Sequence, residues 1–75
     1  MPLLKDFGSF HIWMYFRDHN PPHVHAVSPD ETVLLALADG SIVRGAIRGE
    51  SPRTAQDWIA QNRDMLLVKW AEFQK

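Results

Sequence analysis

The chain has 75 residues, no cysteine and a formal net charge of −1, so we expect one small domain spanning residues 1–75. The lack of cysteine excludes disulfides and thiolate metal sites, and the near-neutral charge gives no global attraction for nucleic acid. No apolar run approaches the roughly 20 residues of a membrane helix, and the N-terminus lacks the pattern of a signal peptide. We therefore expect a cytoplasmic protein with no membrane partner.

The first periodic segment runs from residue 10 to residue 17, where apolar and amphipathic side chains alternate. The apolar positions are Phe10, Ile12, Met14 and Phe16, and the amphipathic positions are His11, Trp13, Tyr15 and Arg17. A period of two predicts a strand whose even positions face the core. Asn20-Pro21-Pro22 then interrupts the chain, because proline removes a backbone donor, and residues 23–27 can form a second strand.

A hairpin is predicted around Asp39-Gly40, which separates the apolar segments 33–38 and 41–48. Glycine accepts the positive φ that such a turn requires. A two-residue loop would place Leu35 opposite Arg44 and Leu34 opposite Gly45. The face assigned to the helix would then carry Leu34, Ala36, Val43 and Ile47, and the opposite, semi-exposed face would carry Val33, Leu35, Leu37, Ile42, Arg44 and Arg48.

A helix is predicted after Gly49-Glu50. It would begin near Ser51-Pro52, with Ser51 as N-cap, or at Thr54, with Asp57 completing a capping box. Apolar residues then recur at helical spacing: Ala55, Trp58, Ile59, Met65, Leu66, Trp70 and Phe73. The predicted fold is α+β, a small antiparallel β-meander of three to four strands followed by one C-terminal helix packed on one sheet face.

The segment Asp18-His19-Asn20-Pro21-Pro22-His23-Val24-His25 carries the most distinctive chemistry. If residues 18–22 form a loop, Arg17 faces His23 and Tyr15 faces His25. We therefore predict a binding surface of imidazoles, aromatic rings and cations, made of His11, Trp13, Tyr15, Arg17, Arg44 and Arg48 beside His23 and His25.

Three kinds of chemistry are compatible with these residues. His23 and His25 on one side of a strand could bind zinc with His11, His19, Asp18 or Asp30 as further ligands, although we favour no bound metal or other cofactor. His19, His23 and His25, with Asp18 fixing a tautomer, are candidate catalytic residues for metal-independent RNA cleavage. Trp13 and Tyr15 could then stack bases, while Arg17 or Arg44 holds a phosphate. In a purely structural role, Asn-Pro-Pro presets the loop and half-exposed histidines bond to loop carbonyls.

The sequence resembles the small bacterial proteins called domain of unknown function 4160. The resemblance lies in residues 15–25, with their Asp-His-x-Pro-Pro-His-x-His core, and in residues 62–70, with their Leu-x-x-x-Trp. It implies a small cytoplasmic protein partner, because members often appear beside a second small protein and a toxin–antitoxin role has been suspected for such pairs. The matched positions are candidate site residues: Asp18, His19, Pro21, Pro22, His23 and His25.

Two main functional hypotheses follow. In the first, the chain is the toxin-like component of a toxin–antitoxin-type pair and acts on RNA through the histidine face. In the second, it is a non-enzymatic interaction or antitoxin module that binds a partner, or a second copy of itself, through Leu35, Leu67 and Trp70. A histidine-based metal-binding domain is a third, less favoured hypothesis.

Overall fold

The computed structural model describes residues 3–16, 20–45 and 52–74. The elements are β1 Leu3–Asp6, β2 His11–Trp13, β3 His23–Val27, β4 Thr32–Ala36, β5 Ile42–Gly45 and α1 Arg53–Phe73. The strands form one antiparallel sheet in the order β1-β2-β3-β4-β5, which is the predicted meander and α+β class. The sheet has five strands rather than three or four, because β1 pairs with β2. Among the described residues, no helix combines the length and the apolar character needed to cross a membrane.

Strand β1 was missed because its sequence has no alternating pattern. It lies at the edge of the sheet, and its register shifts between Leu3 and Lys5. Leu4 is partly buried against the core, whereas the other three residues of β1 are exposed. An edge strand that buries a single side chain leaves little periodicity to read.

Strand β2 is shorter than the predicted segment 10–17. Phe10, Ile12 and Met14 are buried as predicted, with 3%, 0% and 0% of their surface exposed. Phe16 was expected in the core but is 55% exposed, and its ring lies 4.8 Å from that of Phe73. The prediction for Phe16 is wrong because β2 ends at Trp13, beyond which strand alternation no longer sets the direction of side chains.

The β4–β5 hairpin has a longer loop than predicted. The Ala36 N–H donates to the Ser41 carbonyl at 2.9 Å, and the Gly40 N–H donates to the Ala36 carbonyl at 2.8 Å. Residues 37–40 therefore form the loop, in which Gly40 has the positive φ expected of the turn, +74°. Leu34 pairs with Arg44 and Leu35 with Ile42, so both predicted pairs are wrong, and Val43 is the extra residue of a bulge.

The bulge shifts the pairing by one residue at Arg44 and reverses the predicted faces of β4, whereas Arg44 stays on the face away from the helix, as predicted. Ile47 lies outside the described residues. Val33, Leu35 and Leu37 are buried, whereas Leu34 is half-buried and Val43 is exposed. A shift of one residue moves every side chain of a strand to the other face. The apolar run 33–38 has no polar position that would show which of its residues face the solvent. The sequence of this run therefore does not determine its register.

One buried cluster joins the sheet and the helix, and we call the side of the sheet that contributes to it the inner face. The cluster contains Phe10, Ile12, Met14, Val24, Ala26, Val33, Leu35, Leu37, Ala55, Ile59, Leu66 and Trp70. Leu35 and Trp70 belong to it, so they are core residues rather than the predicted interface residues. The opposite side of the sheet is the outer face.

Helix α1 begins at Arg53, preceded by Pro52 and without a side-chain cap hydrogen bond. The alternative capping box of Thr54 and Asp57 is wrong, because Thr54 lies inside the helix, and Ser51 lies outside the described residues. Asn62 interrupts the helix with φ −122° and ψ 17°, and its amide donates to the Trp58 carbonyl at 2.9 Å. Asparagine suits such a position because its side chain can replace a helical hydrogen bond.

Two side chains of α1 hold the 37–40 loop. The Gln56 amide donates to the Gly40 carbonyl at 2.8 Å, and Arg63 Nε donates to the Leu37 carbonyl at 2.8 Å. The Leu37 N–H donates in turn to the Pro22 carbonyl at 2.9 Å. The helix, the 37–40 loop and the proline segment are thereby connected, which fixes one end of the outer face.

Candidate functional site

Four residues of the outer face form a row across neighbouring strands. Trp13 pairs with His25, His25 with Leu34, and Leu34 with Arg44. Directly opposed residues project from the same face of a sheet, so Trp13, His25, Leu34 and Arg44 form what we call the cross-strand row. At about 4.8 Å per strand spacing, the row is about 14 Å long.

The predicted register of β2 and β3 is wrong by two residues, because Trp13 rather than Tyr15 pairs with His25. A shift of two residues leaves each side chain on its original face. His11 and Trp13 are accordingly half-buried, whereas their neighbour Ile12 is fully buried. The structure thus brings these two residues to the same side of the sheet as His25.

Four aromatic rings connect the outer face to the helix. The Tyr15 and His25 ring centroids are 4.2 Å apart, and those of His25 and His23 are 5.0 Å apart. The His23 and Trp70 centroids are 5.3 Å apart. Trp70 on α1 therefore covers one end of the histidine pair.

His23 is buried, with 5% of its surface exposed. Its Nδ1 lies 2.8 Å from the Pro21 carbonyl oxygen, and because a carbonyl only accepts, Nδ1 carries the hydrogen in this bond. A bond to a loop carbonyl was predicted, but the expected half-exposure of His23 is wrong, since Trp70 packs against its ring. His25 is half-buried and is the more accessible of the two.

A cleft of about 400 Å³ opens beside this pair, and we call it the histidine cleft. Its lining is Asn20, Pro21, His23, His25, Leu34, Val43 and Arg44. The cleft combines one exposed cation, Arg44, with imidazole and an aliphatic wall. Such a lining suits a planar, anionic ligand, since guanidinium groups bind phosphate and carboxylate strongly.

A second cleft, of about 300 Å³, is lined by Trp13, the cross-strand partner of His25, and we call it the tryptophan cleft. Its lining is Gly8, Ser9, Phe10, His11, Trp13, Val27, Ser28 and Pro29. His11 Nε2 is 3.2 Å from Asp6 Oδ1, and the same carboxylate oxygen accepts a hydrogen bond from the Gly8 N–H at 2.7 Å. Nothing in the sequence pattern indicated this second concavity.

Several predicted site residues lie outside the described residues: Arg17, Asp18, His19 and Arg48. Their roles therefore stay predictions. Within ranges 3–16, 20–45 and 52–74, no group of three or more histidines and carboxylates is placed to hold a metal ion. The expectation of no bound metal is a prediction still to be tested.

Sequence reasoning missed three residues that line the histidine cleft: Asn20, Leu34 and Val43. The predicted register places Leu34 and Val43 on a face without charge, opposite Arg44, and such a face is expected to pack on the helix. The polar motif alone gave Asn20 only a turn-forming role. The bulge at Val43, which pairs Leu34 rather than Leu35 with Arg44, brings both apolar residues beside the histidines.

Comparison of the sequence with curated proteins finds no match, and comparison with solved structures finds none either. The family model described as "Domain of unknown function (DUF4160)" matches residues 9–71. That match covers β2 through β5 and most of α1. It also covers every residue that lines the two clefts except Gly8. The chain therefore belongs to the DUF4160 family.

Proposed function

We propose that this protein is the toxin-like component of a toxin–antitoxin-type pair and acts on single-stranded RNA in the cytoplasm. The observation that carries the proposal is the histidine cleft, where His25 and Arg44 line one open concavity. A guanidinium binds phosphate through paired hydrogen bonds, and an imidazole can transfer a proton near neutral pH. The two groups together suit a phosphodiester. The two-protein setting is the one that the family resemblance implies.

Aromatic side chains beside the cleft support RNA as the polymer. Tyr15 lies against the His25 ring, and Trp13 pairs with His25 across the strands. Proteins that bind single-stranded RNA stack unpaired bases on such rings while cations hold the backbone. Because the net charge is −1, binding would depend on this local arrangement rather than on bulk electrostatics.

The proposed reaction is RNA cleavage without a metal. The ribose 2′-oxygen attacks the adjacent phosphorus and loses its proton to a base, while the 5′-oxygen leaves and takes a proton from an acid. The products are a 2′,3′-cyclic phosphate and a free 5′-hydroxyl. His25 supplies one of the two proton transfers, and Asp18 and His19 of the motif are candidates for the other.

His23 has a different role in this proposal. Its burial and its bond to the Pro21 carbonyl suit a residue that positions the wall of the cleft. It would contribute by keeping the proline segment in place and by supporting the His25 ring. We therefore assign proton transfer to His25 and positioning to His23.

RNA binding is tested by titrating a labelled oligouridine of ten nucleotides with wild type and with Arg44→Gln. Arg53→Gln is the matched control, because it removes the same charge from an exposed position on α1. Arg44→Gln should weaken binding about tenfold or more, and Arg53→Gln should leave it within about twofold. Equal weakening by the two variants, or equal affinity for the deoxy oligonucleotide, would reject a specific RNA site at the cleft.

The toxin-like activity is tested by inducing expression in bacteria and following growth. Wild type should arrest growth, and a folded His25→Ala variant should not. RNA extracted from arrested cells should carry new ends with 2′,3′-cyclic phosphates. If wild type does not slow growth and the extracted RNA carries no new 2′,3′-cyclic phosphate ends, the toxin proposal is rejected.

A second candidate is the non-enzymatic interaction or antitoxin module. It is favoured by apolar side chains left exposed on the second half of α1: Met65 at 40%, Leu67 at 39% and Val68 at 59%. Met65 and Val68, three residues apart, are neighbours on one face of the helix, and exposed apolar side chains that lie together are typical of protein-binding surfaces. Val68→Glu should then abolish co-purification with the neighbouring small protein, or dimerisation measured by sedimentation, while His25→Ala should not.

A further inference from the structure

The two clefts of the outer face are adjacent. Trp13 lines the tryptophan cleft, and its cross-strand partner His25 lines the histidine cleft. Paired residues on neighbouring antiparallel strands are separated by about 5 Å. The backbones of these two lining residues therefore lie within the span of one nucleotide.

The chemistry of the two clefts is complementary rather than repeated. The histidine cleft contains Arg44, whereas no lysine or arginine is among the described residues that line the tryptophan cleft. Instead, Asp6 lies at its border, paired with His11. A carboxylate in this position repels phosphate, while the Trp13 indole and the Ser9 hydroxyl suit an uncharged, flat, hydrogen-bonding group. The Ser28 hydroxyl is already bonded to the Glu31 backbone.

From this juxtaposition we infer that the outer face recognises an oligonucleotide of at least two nucleotides. One phosphate binds His25 and Arg44, and the base of the neighbouring nucleotide enters the tryptophan cleft. This inference rests on the proposed function and deepens it, because it names oligonucleotides rather than mononucleotides as the ligand class. The cross-strand row of about 14 Å is consistent with it, since RNA-binding sheets with exposed aromatic residues stack two or three bases.

The test compares uridine 5′-monophosphate with the di- and trinucleotide of uridine, measured by NMR titration of the ¹⁵N-labelled protein. In wild type, the trinucleotide should bind at least about fivefold more tightly than the monophosphate, the gain expected for one stacked base. The indole N–H signal of Trp13 should shift with the trinucleotide and stay in place with the monophosphate.

Trp13→Leu is the informative variant, because leucine keeps an apolar side chain at this half-buried position but has no aromatic face. It should reduce the gain from added length to less than about twofold, so that the trinucleotide and the monophosphate bind this variant with similar affinity. Trp13→Phe should restore most of the gain. The NMR shift in wild type provides the same information if Trp13→Leu does not fold.

The outcomes separate the two proposals. If all three ligands bind wild type with equal affinity and the Trp13 signal does not move, the second subsite is rejected while the histidine cleft stands. A length dependence that is unchanged in folded Trp13→Leu rejects it as well. If wild type binds none of the ligands, the proposed RNA function fails and this inference fails with it.

Discussion

The inner and outer faces of the sheet come from the same strands but differ in what covers them. On the inner face, Val24, Leu35 and their neighbours are buried beneath α1. On the outer face, Leu34 and Arg44 line the open histidine cleft, and Trp70 of α1 reaches across to His23. The covered face is uniformly apolar, whereas the open face mixes imidazole, indole and guanidinium. Stability and recognition are therefore assigned to opposite sides of one thin layer.

The largest effect on stability is expected from a comparison of two neighbouring leucines, one on each face of the sheet. Leu35→Ala removes a side chain that is 0% exposed and should lower the free energy of unfolding by about 3.5 kcal/mol. Leu34→Ala, on the outer face, should lower it by less than about 1.5 kcal/mol. Urea denaturation of both variants measures the difference. Equal losses would mean that the outer face is covered too.

The next largest effect on stability is expected where β5, the strand that carries Arg44, pairs with β4. Gly45 has φ +85°, and a Cβ at this position would collide with the Thr32 carbonyl oxygen. Gly45→Ala should destabilise the fold by about 2.5 kcal/mol through steric overlap and strain.

Gly8 provides the matched control for Gly45. It has φ +90°, but a Cβ there would meet no atom within 4 Å, so Gly8→Ala should cost about 1 kcal/mol, from backbone strain alone. Thermal unfolding of the two variants compares them. A larger loss for Gly8→Ala would contradict the close approach of β4 and β5 at Gly45.

A third prediction compares the roles of the two histidines on the outer face. His23→Ala removes a buried ring together with its bond to the Pro21 carbonyl and should cost about 1.5 kcal/mol. His25→Ala removes a half-buried ring and should cost less than about 1 kcal/mol while abolishing RNA binding. Unfolding and binding are measured on the same samples. If His25→Ala proved the more destabilising variant, His25 would be the positioning residue instead.

The smallest effect depends on pH and lies in the 37–40 loop. Hydrogen bonds from the Ser41 N–H and hydroxyl lower the pKa of Asp39 below its ordinary value of 3.8. Since the folded-state pKa lies below that of the unfolded chain, the stabilisation is present above pH 3.8 and is lost as the pH falls through the folded-state value.

Asp39→Ala should therefore flatten the decline of stability in acid, with Asp30→Ala as the control on another exposed turn. Melting temperatures between about pH 6 and pH 3 measure this effect. Parallel curves for wild type and Asp39→Ala would exclude the contribution of this carboxylate.

Alternation and turn chemistry predicted the elements that contain polar positions. The alternation of Phe10, Ile12 and Met14 with polar neighbours identified the inner face of β2, and Asp39-Gly40 located the second hairpin. The run 33–38 lacks any polar residue, so its faces were inferred from pairing with Arg44, and the bulge at Val43 exchanges the faces of Leu34 and Leu35. Hydrogen bonds from Gln56 and Arg63 hold the longer loop, and no local rule indicates them.

The sequence predicted which face of the sheet carries the candidate site, but not how deeply its residues are buried. The spacing of His23 and His25 placed both rings on one side of β3, and an error of two residues in register did not alter this. The burial of His23 was not predictable, because the residue that covers it, Trp70, comes from the far end of α1. Contacts between residues that are distant in sequence leave no trace in the local spacing of either segment.

The contact between His23 and Trp70 has a consequence for how ligand occupancy can be observed. A ligand that orders the walls of the histidine cleft also favours the conformation in which Trp70 is docked, since a ligand stabilises the state that binds it. The final turns of α1 would open less often to solvent, and their amide hydrogens would exchange more slowly. Slower exchange at the end of the helix would then report a binding event on the opposite face of the sheet.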